Sequence, residues 1–437
     1  MSYVIIGNGP AAIAACESIR TTDKEKQIII ISKEDKYAYG RPLITYQIAG
    51  IVEKENMFLR KKEFYEKNNI KVLLGKEATG IDPKNKIVKL DDGAQINYEK
   101  LLIASGGTPF IPPVYKEYMD KENITTFIKW EDMEKLEKML PEINNVLIVG
   151  GGLIGIKAAE ALVMKNKKVF IAELSKRVLS TVIDNKGAYY FHKELEKNNI
   201  FLFLENTVKS FKVKKNRIEK AVLQSGEVLD IDAVIMAIGV KPEISFIKGT
   251  NINTNVGILV DDSMKTSVDD IYAAGDVAES YDLVYGSKRI GPIWVSASEQ
   301  GRIAGYNMAG KKASYRGRLI MNSISFLKTS LISYGIINTD IEYEKINVFE
   351  YERPDLNIYR RLNVVDNRLI GAIFVNSIYR KGIITRFIIE KLPFDKYKDI
   401  LLSPNIGFIE FEKEYRNREI NSVKGYSKTK TNLENTV

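Results

Sequence analysis

The pattern that most restricts this chain occurs twice. An apolar strand, a glycine turn and the start of a small-residue helix run Val4-Ile5-Ile6-Gly7-Asn8-Gly9-Pro10-Ala11-Ala12. The pattern returns 143 residues later as Val146-Leu147-Ile148-Val149-Gly150-Gly151-Gly152-Leu153-Ile154-Gly155. Each copy then meets a second apolar strand, at residues 27–31 and 168–172. A strand, a helix and a further strand in that order make a β-α-β unit with parallel strands. Two other segments also echo each other. Residues 98–109 are an apolar strand that ends in Ala104-Ser105-Gly106-Gly107 and then Pro109, and residues 232–242 repeat that design through Gly239 to Pro242. Each follows an alternating stretch with a turn signal, at Asp91-Asp92-Gly93 and Gln224-Ser225-Gly226. The chain therefore reads as α/β, with two Rossmann-like domains of similar plan.

The glycine spacing has a chemical meaning. In Gly7-x-Gly9-x-x-Ala12 the first glycine makes the tight turn. The second lets the backbone approach a pyrophosphate, and the small third residue lets helix pack on strand. The helix N-terminus, from Pro10 and Ala11 onward, then offers free N–H groups and a positive dipole end to the phosphates. An acid normally closes the second strand and holds the ribose hydroxyls. Here Glu34 is the nearest, one position later than expected, and is either that ligand or a loop charge. The second motif, Gly150-x-Gly152-x-x-Gly155 with Ile154 inside it, is complete. Glu173 ends its second strand 23 residues after Gly150, which suits a carboxylate on the adenosine ribose 2′-OH and would repel a 2′-phosphate. NADH is favoured over NADPH, with Lys176 and Arg177 close enough to soften the preference.

The 437 residues suggest about three domains at roughly 150 residues each. One cysteine, Cys16, and one histidine, His192, exclude an intramolecular disulfide, a thiol-ligated zinc or iron–sulfur centre and a two-histidine metal site. No metal site is expected. His192 has no partner motif and reads as a surface helix residue. Lys and Arg number 65 against 56 Asp and Glu, a net +9 spread along the chain as solvated faces such as residues 165–168 and 212–215. No nucleic-acid partner is expected, although an acidic protein could dock. Neither a secretion signal nor a run of about 18 apolar residues is visible, so a cytoplasmic protein without a membrane span is expected.

A third signal comes late. Residues 271–278 form an apolar strand ending Gly275-Asp276. With two dinucleotide units before it, the chain resembles the pyridine nucleotide–disulfide oxidoreductase superfamily, and more narrowly the NADH:rubredoxin oxidoreductases and the flavin domain of assimilatory nitrite reductases. The resemblance covers about residues 1–345. It implies FAD on Gly7, Gly9 and Ala12, with Arg41-Pro42 beside the flavin and Ala104, Ser105 and Gly106 lining it. Asp276 would take the ribityl and phosphate region, and Gly239 would stand where the nicotinamide approaches. Residues 291–301 resemble the family helix whose N-terminus faces the flavin. Within it Trp294 either touches the flavin or packs in the core.

Two departures matter. Thiol-using relatives carry a reactive cysteine after the first β-α-β unit, where this chain has Leu43-Ile44-Thr45-Tyr46. Cys16 falls in the first helix as a core thiol. Lys157 stands where many relatives have Glu near the nicotinamide carboxamide, and it either contacts that site or is a solvated helix residue. The resemblance therefore implies hydride transfer from NADH to FAD, then electron transfer to rubredoxin, a ferredoxin-like or iron–sulfur protein, or a subunit of a larger reductase. An NADH oxidase and a non-catalytic redox-sensing binding protein are the alternatives. The expected domains are 1–112 and 245–314 for FAD, 113–244 for NAD, and a small α+β domain at 315–412 that covers the flavin or makes a homodimer. Within the last, residues 357–363, a turn at Asp366-Asn367 and residues 369–375 read as an antiparallel hairpin, followed by helical spacing over residues 381–391. A mobile tail is expected at 413–437.

Overall fold

A computed structural model describes residues 2–337, 346–379 and 381–403. The expected tail at 413–437 lies outside them. The chain divides into two compact units. One comprises Met1–Ile320 with Phe326–Lys328, and the other Met321–Ser325 with the residues from Thr329 on.

The first unit holds two parallel sheets. In one, the strands run Ile70–Leu74, Ile28–Ser32, Ser2–Ile6 and Gln95–Ile103 in spatial order, with Ile271–Ala273 added beyond the last. Val4 pairs with both Ile29 and Leu101, and Leu102 with Tyr272. The late strand, far off in sequence, thus completes the sheet begun at Ser2. These strands are apolar runs rather than alternations, as expected where both faces are covered. Val4, Ile5, Leu101 and Leu102 are fully buried, and each such side chain contributes about 1.5–3 kcal/mol. The strand Gln95–Ile103 also has a second task, because its early residues pair antiparallel with Ile87–Leu90 in a meander.

The second sheet repeats the plan. Ile200–Leu204, Lys168–Glu173, Asn145–Val149, Ala233–Met236 and Ile124–Thr125 are all parallel. A separate meander of Val208–Lys214, Arg217–Leu223 and Val228–Asp230 accompanies them. The two echoing segments noted in the sequence lie side by side, with Thr108 opposite Lys241 in a short antiparallel pair.

The second unit is a five-stranded antiparallel sheet, in the order Met321–Phe326, Thr329–Gly335, Arg368–Val375, Ile358–Val365, Asn347–Arg353. The hairpin expected around Asp366-Asn367 is present, and both residues have positive φ, as a two-residue primed turn requires. The sequence marked only this hairpin of the five strands. Helical spacing at 381–391 becomes the helix Gly382–Ile389. Among the described residues no helix is long and apolar enough to cross a membrane.

Candidate active site

Both glycine turns form by close backbone approach. Gly7 has φ +106°, and a Cβ there would lie 2.1 Å from the Ala104 carbonyl oxygen. Gly150 also has φ +106°, with a Cβ position 2.5 Å from the Ala237 oxygen. The turns are therefore wedged against the strands that end at Ile103 and Met236. Gly9 and Gly152 behave differently, because a Cβ at either would meet no protein atom within 4 Å. Their bare faces look into open space beside the N-termini of the helices Pro10–Thr22 and Leu153–Met164, neither of which has a side-chain cap. Uncapped N–H groups beside an open glycine form a cradle for a phosphate.

The first cradle opens into a cleft of about 340 Å³ at the carboxyl end of the first sheet. Gly7, Gly9, Pro10, Ala11, Glu34, Arg41, Pro42, Ala104, Ser105, Gly106, Gly275, Asp276 and Trp294 all line it. Ala12 does not, being fully buried in the helix. Among the described residues no protein group donates a hydrogen bond to Asp276, and desolvation lifts its carboxyl above its ordinary pKa while Arg41 pulls the other way. Asn8 also lines the cleft, and its Oδ1 is buried without a partner. An open cradle, an orphaned acceptor and a carboxylate facing the cleft fit FAD, whose pyrophosphate would take the N–H groups and whose ribityl hydroxyls would donate to the acceptors.

Glu34 is in the cleft but already engaged. It accepts from Arg41 Nη2 and from the Tyr39 hydroxyl, each at 2.7 Å, while the Trp130 N–H donates to the Tyr39 oxygen at 2.8 Å. Burial raises the Tyr39 pKa, so the phenol stays a donor to Glu34. A carboxylate has about four acceptor sites, so a ribose hydroxyl can still be received. Trp294 is 38% exposed, too open for a core residue, and opens the helix Trp294–Met308. No acid lies in that helix's first turn and no side chain caps it, so its positive end faces the cleft unopposed. Gln300, not assigned from sequence, is 1% exposed and holds the floor, with Oε1 accepting the Gly275 N–H at 2.8 Å and Nε2 donating to Ser280 Oγ at 2.9 Å. Further along, Gly301 and Gly305 let this helix touch the backbone of Ala11 and Ala15.

Gly150, Gly152, Ile154, Gly155 and Glu173 gather at the second cradle, apart from the cleft lining. A Cβ at Gly155 would lie 2.0 Å from the Gly150 oxygen, which explains the third glycine. The Glu173 carboxylate accepts from the Gly151 N–H at 2.6 Å and the Ser175 N–H at 2.8 Å. Arg177 donates to the Ile183 oxygen, Asn185 Oδ1 and the Ser180 oxygen. Its fork is thus committed to the following loop rather than aimed at a 2′-phosphate. Gly239 has φ +119° with open space where a Cβ would point, and its neighbour Val240 reaches the first cleft.

Lys157 lies outside the cleft lining. Its ammonium pairs with the buried Glu160 one turn on and sits 4.8 Å from the centroid of the Tyr46 ring. It is therefore an engaged side chain and not a solvated one. His192 is half-buried rather than on the surface. Its Nε2 accepts the Val178 N–H at 3.3 Å, and burial lowers its pKa. Cys16 is fully buried, with its thiol pushed up to about 12 by that burial. A thiolate is therefore absent at neutral pH. Cys16→Ser is expected to keep full NADH-dependent turnover, and a folded but inactive variant would contradict the assignment.

Two dinucleotide cradles, the first completed by the late strand Ile271–Ala273, define a two-dinucleotide flavoprotein fold. The chain belongs to the pyridine nucleotide-disulphide oxidoreductase family, whose model matches residues 1–301. Residues 321–392 match the rubredoxin NAD+ reductase C-terminal domain. The chain is 32% identical over 376 residues to the NADH-rubredoxin oxidoreductase of Clostridium acetobutylicum, covering 86% of this chain and 91% of that protein. It is 33% identical over 324 residues to the NADH oxidase of Methanocaldococcus jannaschii, covering 72% and 71%. The crystal structure of NADH:rubredoxin oxidoreductase from Clostridium acetobutylicum matches with a TM-score of 0.75 at 31% identity, over 90% of this chain and 96% of that one.

Proposed function

We propose that this oxidoreductase takes hydride from NADH and passes electrons through FAD to a separate small redox protein of the rubredoxin or iron–sulfur class. One arrangement carries the reading. A cleft lined by the first glycine turn and a second glycine turn beside the Glu173 carboxylate occur in a chain whose only cysteine is sealed in the core. The chemistry FAD supplies is the conversion of two-electron hydride uptake into one-electron release. The protein's part is to bind and orient. Residues 1–112 and 245–314 hold FAD, with Gly9 and the Pro10–Thr22 helix at the pyrophosphate and Asp276 at the ribityl region. Residues 113–244 hold NADH, with Glu173 at the adenosine ribose. Arg41 and the Trp294–Met308 helix N-terminus place positive potential beside the flavin, which favours the charge that arrives with the hydride. The rubredoxin-type partner is supported by the Clostridium acetobutylicum relative and by the match of residues 321–392.

The test mixes purified holoprotein, NADH and a rubredoxin, with air as the competing acceptor. Reduction of the iron protein much faster than reoxidation by air is expected. Equal or faster reaction with oxygen would replace this reading by an NADH oxidase.

Glu173→Ala is expected to weaken NADH about tenfold, the scale of one lost hydrogen bond to a charged group. NADPH should lose less, because the variant also removes repulsion of the 2′-phosphate. Equal losses in steady-state KM would show that Glu173 is not the ribose clamp.

A further inference from the structure

Arg318 is 2% exposed and its partner Asp282 is fully buried, with Nε 3.3 Å from Oδ2. Asp282 is already occupied on its other oxygen, which accepts the N–H groups of Val284 and Tyr285 at 3.0 Å each. Arg318 Nη1 and Nη2 have no hydrogen-bond partner. A guanidinium cannot shed its proton in a protein, so a full positive charge is enclosed with its outer edge unsatisfied. That edge presses on Gly291, where a Cβ would lie 2.3 Å from Nη1 and 2.5 Å from Cζ. The next residue, Pro292, lines the flavin cleft, and Trp294 follows two residues later. The cation therefore lies one residue's thickness behind the cleft wall.

We propose that Arg318 is an electrostatic positioning residue that raises the reduction potential of the flavin bound in the adjacent cleft. The proposal rests on the FAD reading given above. In hydride transfer a C–H bond of the dihydronicotinamide breaks, and its hydrogen passes with both electrons to form a new bond on the flavin ring. NADH is oxidised to NAD+, and the flavin is reduced and gains one negative charge. A buried cation behind the wall is screened far less than a surface one and stabilises that charge. Asp282 offsets part of the effect, so the two residues act with opposite signs. A purely structural brace on the Gly291 turn would alter flavin content or melting temperature without imposing a sign on the potential.

The test is a dye-equilibrated redox titration of the holoprotein. Arg318→Met is expected to reduce the equilibrium constant for flavin reduction by NADH about tenfold, which is about 30 mV downward for two electrons. Arg318→Lys should stay near wild type, and Asp282→Asn should move upward. An Arg318→Met variant that retains flavin at the wild-type potential would overturn the proposal. If that variant does not fold, the sign for Asp282→Asn decides, and a downward or absent shift overturns it. A wild-type protein whose flavin NADH does not bleach would defeat the parent reading instead. Unchanged potentials in a flavin that NADH does bleach defeat only the role of Arg318.

Discussion

Asp276→Ala should strip FAD from the purified protein and at the same time stabilise the apoprotein. The two effects have one cause. The carboxylate is half-buried in the cleft wall without a protein donor among the described residues, and that partial desolvation raises its pKa. FAD hydroxyls would satisfy it, and a hydrogen bond to a charged group is worth about 1.5–3 kcal/mol, or roughly ten- to a hundredfold in affinity. Without FAD the same group is a partly desolvated charge with no protein donor among the described residues, and removing it relieves part of that penalty. The pH dependence follows from the direction of the shift. The folded carboxyl binds its proton more tightly than the unfolded one. Its stabilising contribution to the apoprotein is thus complete below the unfolded value of about 3.9 and is lost as pH rises through the higher folded value. Alanine should flatten that part of the apoprotein's stability profile. Flavin-to-protein absorbance and apoprotein melts read both effects. Full flavin content, or an apoprotein less stable than wild type at neutral pH, would contradict the placement of Asp276.

Two glycines of one turn should fail in opposite ways. Gly7→Ala puts a Cβ 2.1 Å from the Ala104 oxygen at φ +106°. The strained backbone and the clash together should cost on the order of 3 kcal/mol, and the turn is expected to deform. Gly9 has φ −116° and ψ −167°, extended backbone that any residue adopts, and no protein atom lies within 4 Å of its Cβ position. Gly9→Ala should therefore melt within about 1 kcal/mol of wild type. Yet its methyl group stands in the pyrophosphate path, and FAD affinity should fall tenfold or more. Melts and flavin titrations of the two apoproteins separate the roles. A Gly9→Ala protein that binds FAD normally would place the pyrophosphate elsewhere, and a Gly7→Ala protein that melts like wild type would contradict the close packing on Ala104.

The features legible in the sequence are those set by local backbone chemistry. Gly7, Gly9, Gly150, Gly152 and Gly155 announce themselves because a switch from a strand to a helix across a tight turn demands glycine at fixed intervals. The Asp366-Asn367 hairpin is legible for a similar reason. Contacts made across long sequence separations are not. Glu34 and Tyr39 are tied to Trp130, 91 residues beyond Tyr39. No periodicity near residue 34 signals that a backbone N–H from another segment will complete the network. Gln300 reads as one more polar helix residue until the fold brings Gly275 and Ser280 against it. The contact of Lys157 with the Tyr46 ring is likewise not legible from its own helix, because Tyr46 comes from a segment 111 positions away. His192 reads as a surface residue because it has no partner motif in the sequence, whereas the Val178 N–H it receives comes from the preceding loop. Among the other strands of the second unit, Met321–Phe326 and Thr329–Gly335 are not joined by a Gly, Pro or Asn-Gly turn signal. Asn347–Arg353 is largely exposed along its length, and its alternation is confined to Phe349-Glu350-Tyr351-Glu352, with only Phe349 and Tyr351 half-buried.

Two bound dinucleotides should exchange a hydride across one chain without a thiol. The most direct measurement is an anaerobic titration of the FAD-loaded protein with NADH, followed in the flavin's visible absorption band. The account predicts complete bleaching with one NADH per FAD, in wild type and Cys16→Ser alike, and faster with NADH than with NADPH. A flavin that stays oxidised under excess NADH, or that bleaches only when Cys16 is present, would contradict it.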